Sequence, residues 1–157
     1  MRAFNLNTPD YEYPADNPPG YRRGHARVGE AIGSNRIGGT LYELPPGESA
    51  WPYHYEVGDE EWLIVLEGRP TLRRPRSTQK LAPGDVVCFP PGPDGAHKVT
   101  NRTEETVRVL MISTRNDPSV AVYPDSDKVG VWPGGGAKGL MLHRRDGSVD
   151  YWDGETS

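Results

Sequence analysis

The sequence predicts an all-β protein of the sandwich or barrel kind, on three observations. Apolar residues between about positions 36 and 115 fall in short runs of strand length. Gly, Pro or Asp closes each run, and the chain holds 19 Gly and 16 Pro in 157 residues without a collagen-like period. No segment keeps an apolar repeat at three and four residues over three helical turns, so no long amphipathic helix is expected. A chain of 157 residues suits one hydrophobic core.

Residues 1–35 read as an N-terminal arm, because Pro9, Pro14, Pro18, Pro19, Gly20, Gly24, Gly29 and Gly33 are scattered among polar residues with no periodic apolar face. Residues 36–115 read as the barrel, with strands over 40–44, 61–66, 71–73, 86–89, 96–100 and 106–113. Pro45-Pro46-Gly47, Glu67-Gly68, Ala82-Pro83-Gly84-Asp85 and Pro90-Pro91-Gly92 supply the turns between them. Residues 116–157 read as an irregular C-terminal extension, running through Gly134-Gly135-Gly136 to a possible hairpin of 140–143 and 149–152 about Asp146-Gly147. An isolated hairpin is marginal in water, so this one needs a surface to rest on.

A formal charge of -4 gives no positive field to draw the chain to nucleic acid or anionic lipid. The longest apolar run, Trp62 to Leu66, has five residues, far short of the roughly 20 that span a bilayer. Cys88 is the only cysteine and the first residues contain no continuous apolar stretch, so a cytoplasmic, disulfide-free protein is expected. Within the run Val86-Val87-Cys88-Phe89, Cys88 reads as a small buried hydrophobe and receives no role.

The segment from Gly47 to Gly68 carries the chemistry. In a strand alternate side chains share a face, so His54 and Glu56 point one way while Tyr53 and Tyr55 point the other. Val57-Gly58-Asp59 can turn the chain, and either Glu60 or Glu61 then returns to face the first pair. His97 opens a distant strand. Imidazoles and carboxylates converging from three strands would suit Zn, Fe, Mn or Ni.

These residues resemble the two motifs of the cupin superfamily. The first is Gly, five residues, His-x-His, three or four residues, Glu, six residues, Gly. Here six residues separate Gly47 from His54, Glu56 stands at the second His, Glu61 follows after four residues and Gly68 after six more. The second is Gly, five residues, Pro-x-Gly, two residues, His, three residues, Asn, and Gly84, Pro90, Gly92, His97 and Asn101 match it with two additional residues before His97. The resemblance implies a double-stranded β-helix, the cupin jelly-roll barrel, with a metal near one mouth. It implies His54, Glu61 and His97 as ligands, and the spacing to Gly68 favours Glu61 over Glu60. Glu56 is the departure: as a fourth ligand it makes the site harder and more negative, favouring Mn or Fe(II), and unligated it is available as a catalytic general base.

The activities implied are metal-assisted isomerase, lyase or dioxygenase chemistry on a small oxygenated metabolite, with a non-catalytic, sugar-like binding module as the alternative. Trp51, Tyr53, Tyr55 and Trp62 read mainly as packing, one or two of them lining a ligand pocket. Trp132, Tyr151 and Trp152 either cover the barrel mouth or pack on a second subunit. Arg69, Arg73, Arg74, Arg76 and Lys80 read first as a solvated face and second as a site for an acidic ligand. Small cupins commonly pair through sheet edges, so a homodimer is expected.

Overall fold

The structure, a computed structural model, describes residues 2–135 and 139–155. Among these the chain runs β1 (Gly24–Ala26), a short helix α1 (Val28–Ile32), β2 (Ile37–Leu44), β3 (Tyr55–Glu56), β4 (Glu61–Glu67), β5 (Thr71–Arg73), β6 (Thr78–Lys80), β7 (Val86–Phe89), β8 (Lys98–Thr100), β9 (Val107–Thr114), β10 (Ser119–Tyr123), β11 (Lys128–Trp132) and β12 (Met141–Arg144). A five-stranded sheet has the order β1-β2-β9-β4-β7. A four-stranded sheet, β12-β11-β10-β3, and a three-stranded sheet, β6-β5-β8, complete the strand layers. All pairings are antiparallel, and the architecture is the cupin jelly roll.

The core follows from strand alternation. Leu63 and Val65 of β4, with Val107, Val109 and Met111 of β9, point inward and pack with Leu44, Leu72, Phe89 and Val99. The outward residues Ile64, Leu66, Leu110 and Ile112 are also apolar, so this sheet needs covering on its other face. Phe4, Leu6 and Tyr11 of the N-terminal arm and Val28 of α1 provide the cover. Arg108 fixes the arm by donating to the Leu6 carbonyl at 2.6 Å and to the Tyr11 hydroxyl at 2.9 Å.

Three expectations are corrected. The stretch after 116 is not irregular throughout: β10 and β11 form a hairpin about the turn Pro124–Ser126. The hairpin of 140–143 with 149–152 does not form, because β12 pairs with β11 and residues 149–152 join no strand; Gly136 lies outside the described residues. Cys88 is exposed rather than buried, since β7 is a sheet edge whose outer face nothing covers at that point. Among the described residues no helix is long and apolar enough to cross a membrane.

Candidate metal centre

The four-stranded and three-stranded sheets meet at an isolated bridge between His54 and His97. Each donates its backbone N–H to the other's carbonyl, at 3.1 and 2.8 Å. On the His54 side the next bridge is Ser49 with Thr100, so residues 50–53 hold more chain than the opposing strand and form a bulge that accommodates Pro52. On the other side, the two additional residues of the second motif fall in the turn Pro93–Gly95 that delivers His97. Gly95 is obligatory there, because a Cβ would lie 1.8 Å from the Pro90 carbonyl oxygen.

Both rings are oriented through Nδ1. His54 Nδ1 lies 2.9 Å from the Pro52 carbonyl and His97 Nδ1 3.0 Å from the Gly95 carbonyl. A carbonyl only accepts, so each Nδ1 carries the proton and each Nε2 presents a lone pair. Phe89 stacks on the His97 ring at 3.7 Å, and Tyr123 lies near-parallel to His54 at 5.8 Å. Glu61, first residue of β4, faces the two lone pairs: its Oε2 is 3.8 Å from His54 Nε2 and 3.6 Å from His97 Nε2. One donor atom from each of the three side chains lies within 4.8 Å of the others.

Glu61 Oε2 is buried and accepts no hydrogen bond. A buried acceptor left in that state is costly, and a cation is the partner its surroundings suit. Two neutral imidazole nitrogens and one carboxylate are an ordinary donor set for Zn, Fe, Mn or Ni, with bonds of about 2.0–2.2 Å. The residues present therefore fit a divalent metal.

Glu56 shares the face of His54, with Oε1 3.8 Å from His54 Nε2. Its Oε2 lies 3.4 Å from Ser119 Oγ. Glu60 points away, accepting a hydrogen bond from Trp62 Nε1 at the surface. Asp59, which sequence reasoning treated only as a turn residue, is a buried carboxylate 4 % exposed. Thr114 Oγ1, the Asn116 backbone N–H and Asn116 Nδ2 all donate to Oδ1 at 2.9 Å, and Ser119 Oγ to Oδ2 at 3.0 Å. Its donors lie 55 to 60 positions downstream, so no local signal marks it.

The electrostatics follow from burial. Burial pushes the Glu61 carboxyl up to about 8, with the Glu56 and Asp59 charges adding to the shift. Burial also pushes Glu56 up to about 7, helped by Asp59 and opposed by the Ser119 hydroxyl. His97 is pushed down to about 3 by burial and by His54, and His54 is lowered by burial. Both rings are thus neutral near pH 7, as metal ligation requires.

A cavity of about 250 Å³ opens beside the cluster. Glu56, Asp59 and Glu61 line it together with Thr40, Ser113, Ser119 and Trp132, and Arg27, Glu30 and Arg115 also contribute. Trp51 lines a separate space of about 10 Å³ beside His54 and His97. Tyr53 is buried under the Arg73 guanidinium and Trp62 lies exposed on the outer face. Tyr151 and Trp152 pack on each other and are 82 % and 65 % exposed.

The Cupin_2 family model, a cupin domain, matches residues 40–113. Among solved structures, the chain is similar to a protein of Acidithiobacillus ferrooxidans named provisionally as a sugar phosphate isomerase, with 31 % identity and a TM-score of 0.75 over 84 % of this chain and 82 % of that one. It is also similar to a cupin-superfamily sugar phosphate isomerase of Silicibacter pomeroyi, with 28 % identity and a TM-score of 0.80 over 96 % and 98 %. The polyketide cyclase RemF of Streptomyces resistomycificus shares the fold, at 24 % identity and a TM-score of 0.62 over 76 % and 83 %. No curated protein sequence gives a significant match. Motif spacing, jelly-roll topology and these likenesses agree, and the chain belongs to the cupin superfamily.

Proposed function

We propose that this cupin is a metal-dependent isomerase of a small polyhydroxylated phosphate ester of the sugar phosphate kind, with His54, Glu61 and His97 as ligands and Glu56 as the general base. The observation that carries the reading is geometric: the Glu56 carboxyl stands 3.8 Å from His54 Nε2, beside the three-ligand cluster, and lines the cavity with Glu61. Its burial, which raises its pKa, supports a base role. A general base works best when its pKa lies near the working pH. The cavity walls supply hydroxyl, amide and carboxylate groups, which suit a polyol better than an aromatic ring. The likeness to two proteins named as sugar phosphate isomerases supports the same substrate class.

A divalent ion bound at the three ligands would polarise a substrate carbonyl and so acidify the neighbouring C–H. Glu56 would take that proton from the hydroxyl-bearing carbon next to the carbonyl and return it to the former carbonyl carbon, while the hydroxyl proton passes to the former carbonyl oxygen, so that aldose and ketose interconvert without gain or loss of atoms. Ser119, within reach of both Glu56 and Asp59, would orient the Glu56 carboxyl. Arg27 and Arg115, which also line the cavity, supply positive charge suited to a phosphate end. A homodimer is part of the same proposal, and a monomer by light scattering at micromolar concentration contradicts it.

The test is solvent deuterium exchange. Aldose and ketose phosphates incubated with the metal-loaded protein in D2O should gain deuterium beside the carbonyl. Glu56→Gln should slow that exchange by about 10²- to 10⁴-fold while the bound metal, measured by elemental analysis, stays. Substrate binding without exchange overturns the isomerase and leaves a binding module. Oxygen uptake by the Fe(II)-loaded protein would replace it with the dioxygenase.

A further inference from the structure

A second cavity, of about 390 Å³, lies outside the metal cluster, between the N-terminal arm and the β5–β8 pair. Its charged lining is cationic: Arg73, Lys98 and Arg102, with no carboxylate among the described lining residues. That is notable in a chain of net charge -4. Arg73 is already committed, donating from two guanidinium nitrogens to Asp125 at 2.6 and 2.9 Å, and Asp125 is not in the lining. Lys98 Nζ donates to the Tyr21 hydroxyl at 3.0 Å, which holds the ammonium at the wall nearest the arm. Among the described residues no carboxylate forms an ion pair with Lys98 or Arg102.

The strands place hydroxyls between these cations. Thr71 faces Thr100 across β5 and β8, and Thr100 faces Ser49 across the adjoining bridge. The Ser49 and Thr100 oxygens are 2.9 Å apart, so one hydroxyl proton satisfies that contact and the other is available. Thr71 and Ser49 are 6 % and 3 % exposed, which sets both at the back of the cavity rather than on open surface. Two cations outside any short ion pair, of which Lys98 feels the Asp125 charge only at longer range, with hydroxyl donors between them, match a tetrahedral dianion carrying several acceptor oxygens. A planar carboxylate would use fewer of these donors.

We propose that this cavity is a phosphate-binding site, separate from the barrel mouth, for a phosphorylated small molecule or free phosphate. The proposal does not rest on the isomerase reading, since none of its residues belongs to the metal cluster or its cavity.

The test is a titration of the full-length, metal-loaded protein with inorganic phosphate at low ionic strength, followed by calorimetry and by amide NMR. The Ser49, Thr71 and Thr100 amides should shift and saturate together as one site, distinct from any signal at Ser113 and Thr114 in the metal cavity. Lys98→Met and Arg102→Gln should each weaken binding at least tenfold, and Lys98→Arg should retain it, which separates charge from fold. The double variant Arg27→Gln, Arg115→Gln at the barrel mouth and the metal-free Glu61→Gln protein should keep the Ser49, Thr71 and Thr100 shifts at wild-type affinity, since none of the substituted residues lines the second cavity. A failed isomerase assay leaves these expectations intact. Shifts confined to Ser113 and Thr114, wild-type affinity in both the Lys98→Met and Arg102→Gln proteins, absence of saturation, or acetate binding as tightly as phosphate would each overturn the proposal.

Discussion

Glu61 Oε2 is buried among two imidazoles without a hydrogen-bond donor, whereas Glu60, one position earlier, meets solvent and Trp62. Strand alternation alone separates their fates. Glu61→Gln should therefore reduce bound metal to background in elemental analysis, and Glu60→Gln should leave it stoichiometric. The same burial gives the metal-free protein a defined pH response. With Glu56 and Glu61 pushed up to about 7 and about 8, the folded chain holds protons that the unfolded chain has released. Their stabilising effect is complete below the ordinary carboxylate value of 4.5 and fades as pH rises through 7 and 8. His54 and His97, shifted downward, act in the opposite sense, and their contribution is complete above the ordinary imidazole value of 6.5. Above that point only the carboxyls still change. Melting temperature after chelation should fall by a few degrees between about pH 6.5 and 8.5, and metal, which replaces the proton on Glu61, should remove the Glu61 share of the fall and leave the smaller share of Glu56. A flat or rising curve in the chelated protein would contradict the burial argument.

At the scale of elements, Asn101 shows how a motif residue serves the fold rather than the chemistry. It is fully buried just beyond β8; its Nδ2 donates to the Leu44 and Glu105 carbonyls, and its Oδ1 accepts from the Thr103 backbone N–H and hydroxyl. Asn101→Ala strands those partners and should cost about 3 kcal/mol in chemical denaturation, with metal affinity retained in the folded fraction. The barrel strands are legible because β4, β7 and β9 are rich in β-branched and apolar residues, and β4 and β7 are followed directly by Gly68 and Pro90. The run Ser119 to Tyr123 carried a comparable signal but stood beside Pro118 and Pro124 in a stretch that reads as loop. What identifies it as β10 is its pairing with β3 and β11, and such non-local partners leave no local trace. For the same reason the sequence shows His54, Glu56, Glu61 and His97 as a pattern but is silent on Asp59, whose role exists only once residues 114–119 return to it.

For the molecule as a whole, the N-terminal arm determines whether the five-stranded sheet has one wet face or none. Phe4, Leu6 and Tyr11 cover Leu110 and its neighbours, and Arg108 anchors the arm to the sheet. Deleting residues 2–12 uncovers an apolar face and leaves Arg108 without two of its acceptors. The truncated protein should melt roughly 5–10 °C lower and bind a hydrophobic dye at temperatures where the intact chain does not. The bridge between His54 and His97 matters at this scale as well, because the strands that carry the two imidazoles belong to different sheets. An ion gripped by both rings would act as a fastener between halves of the barrel wall. Chelation would then speed amide hydrogen exchange along that joint first, while the opposite wall stayed closed.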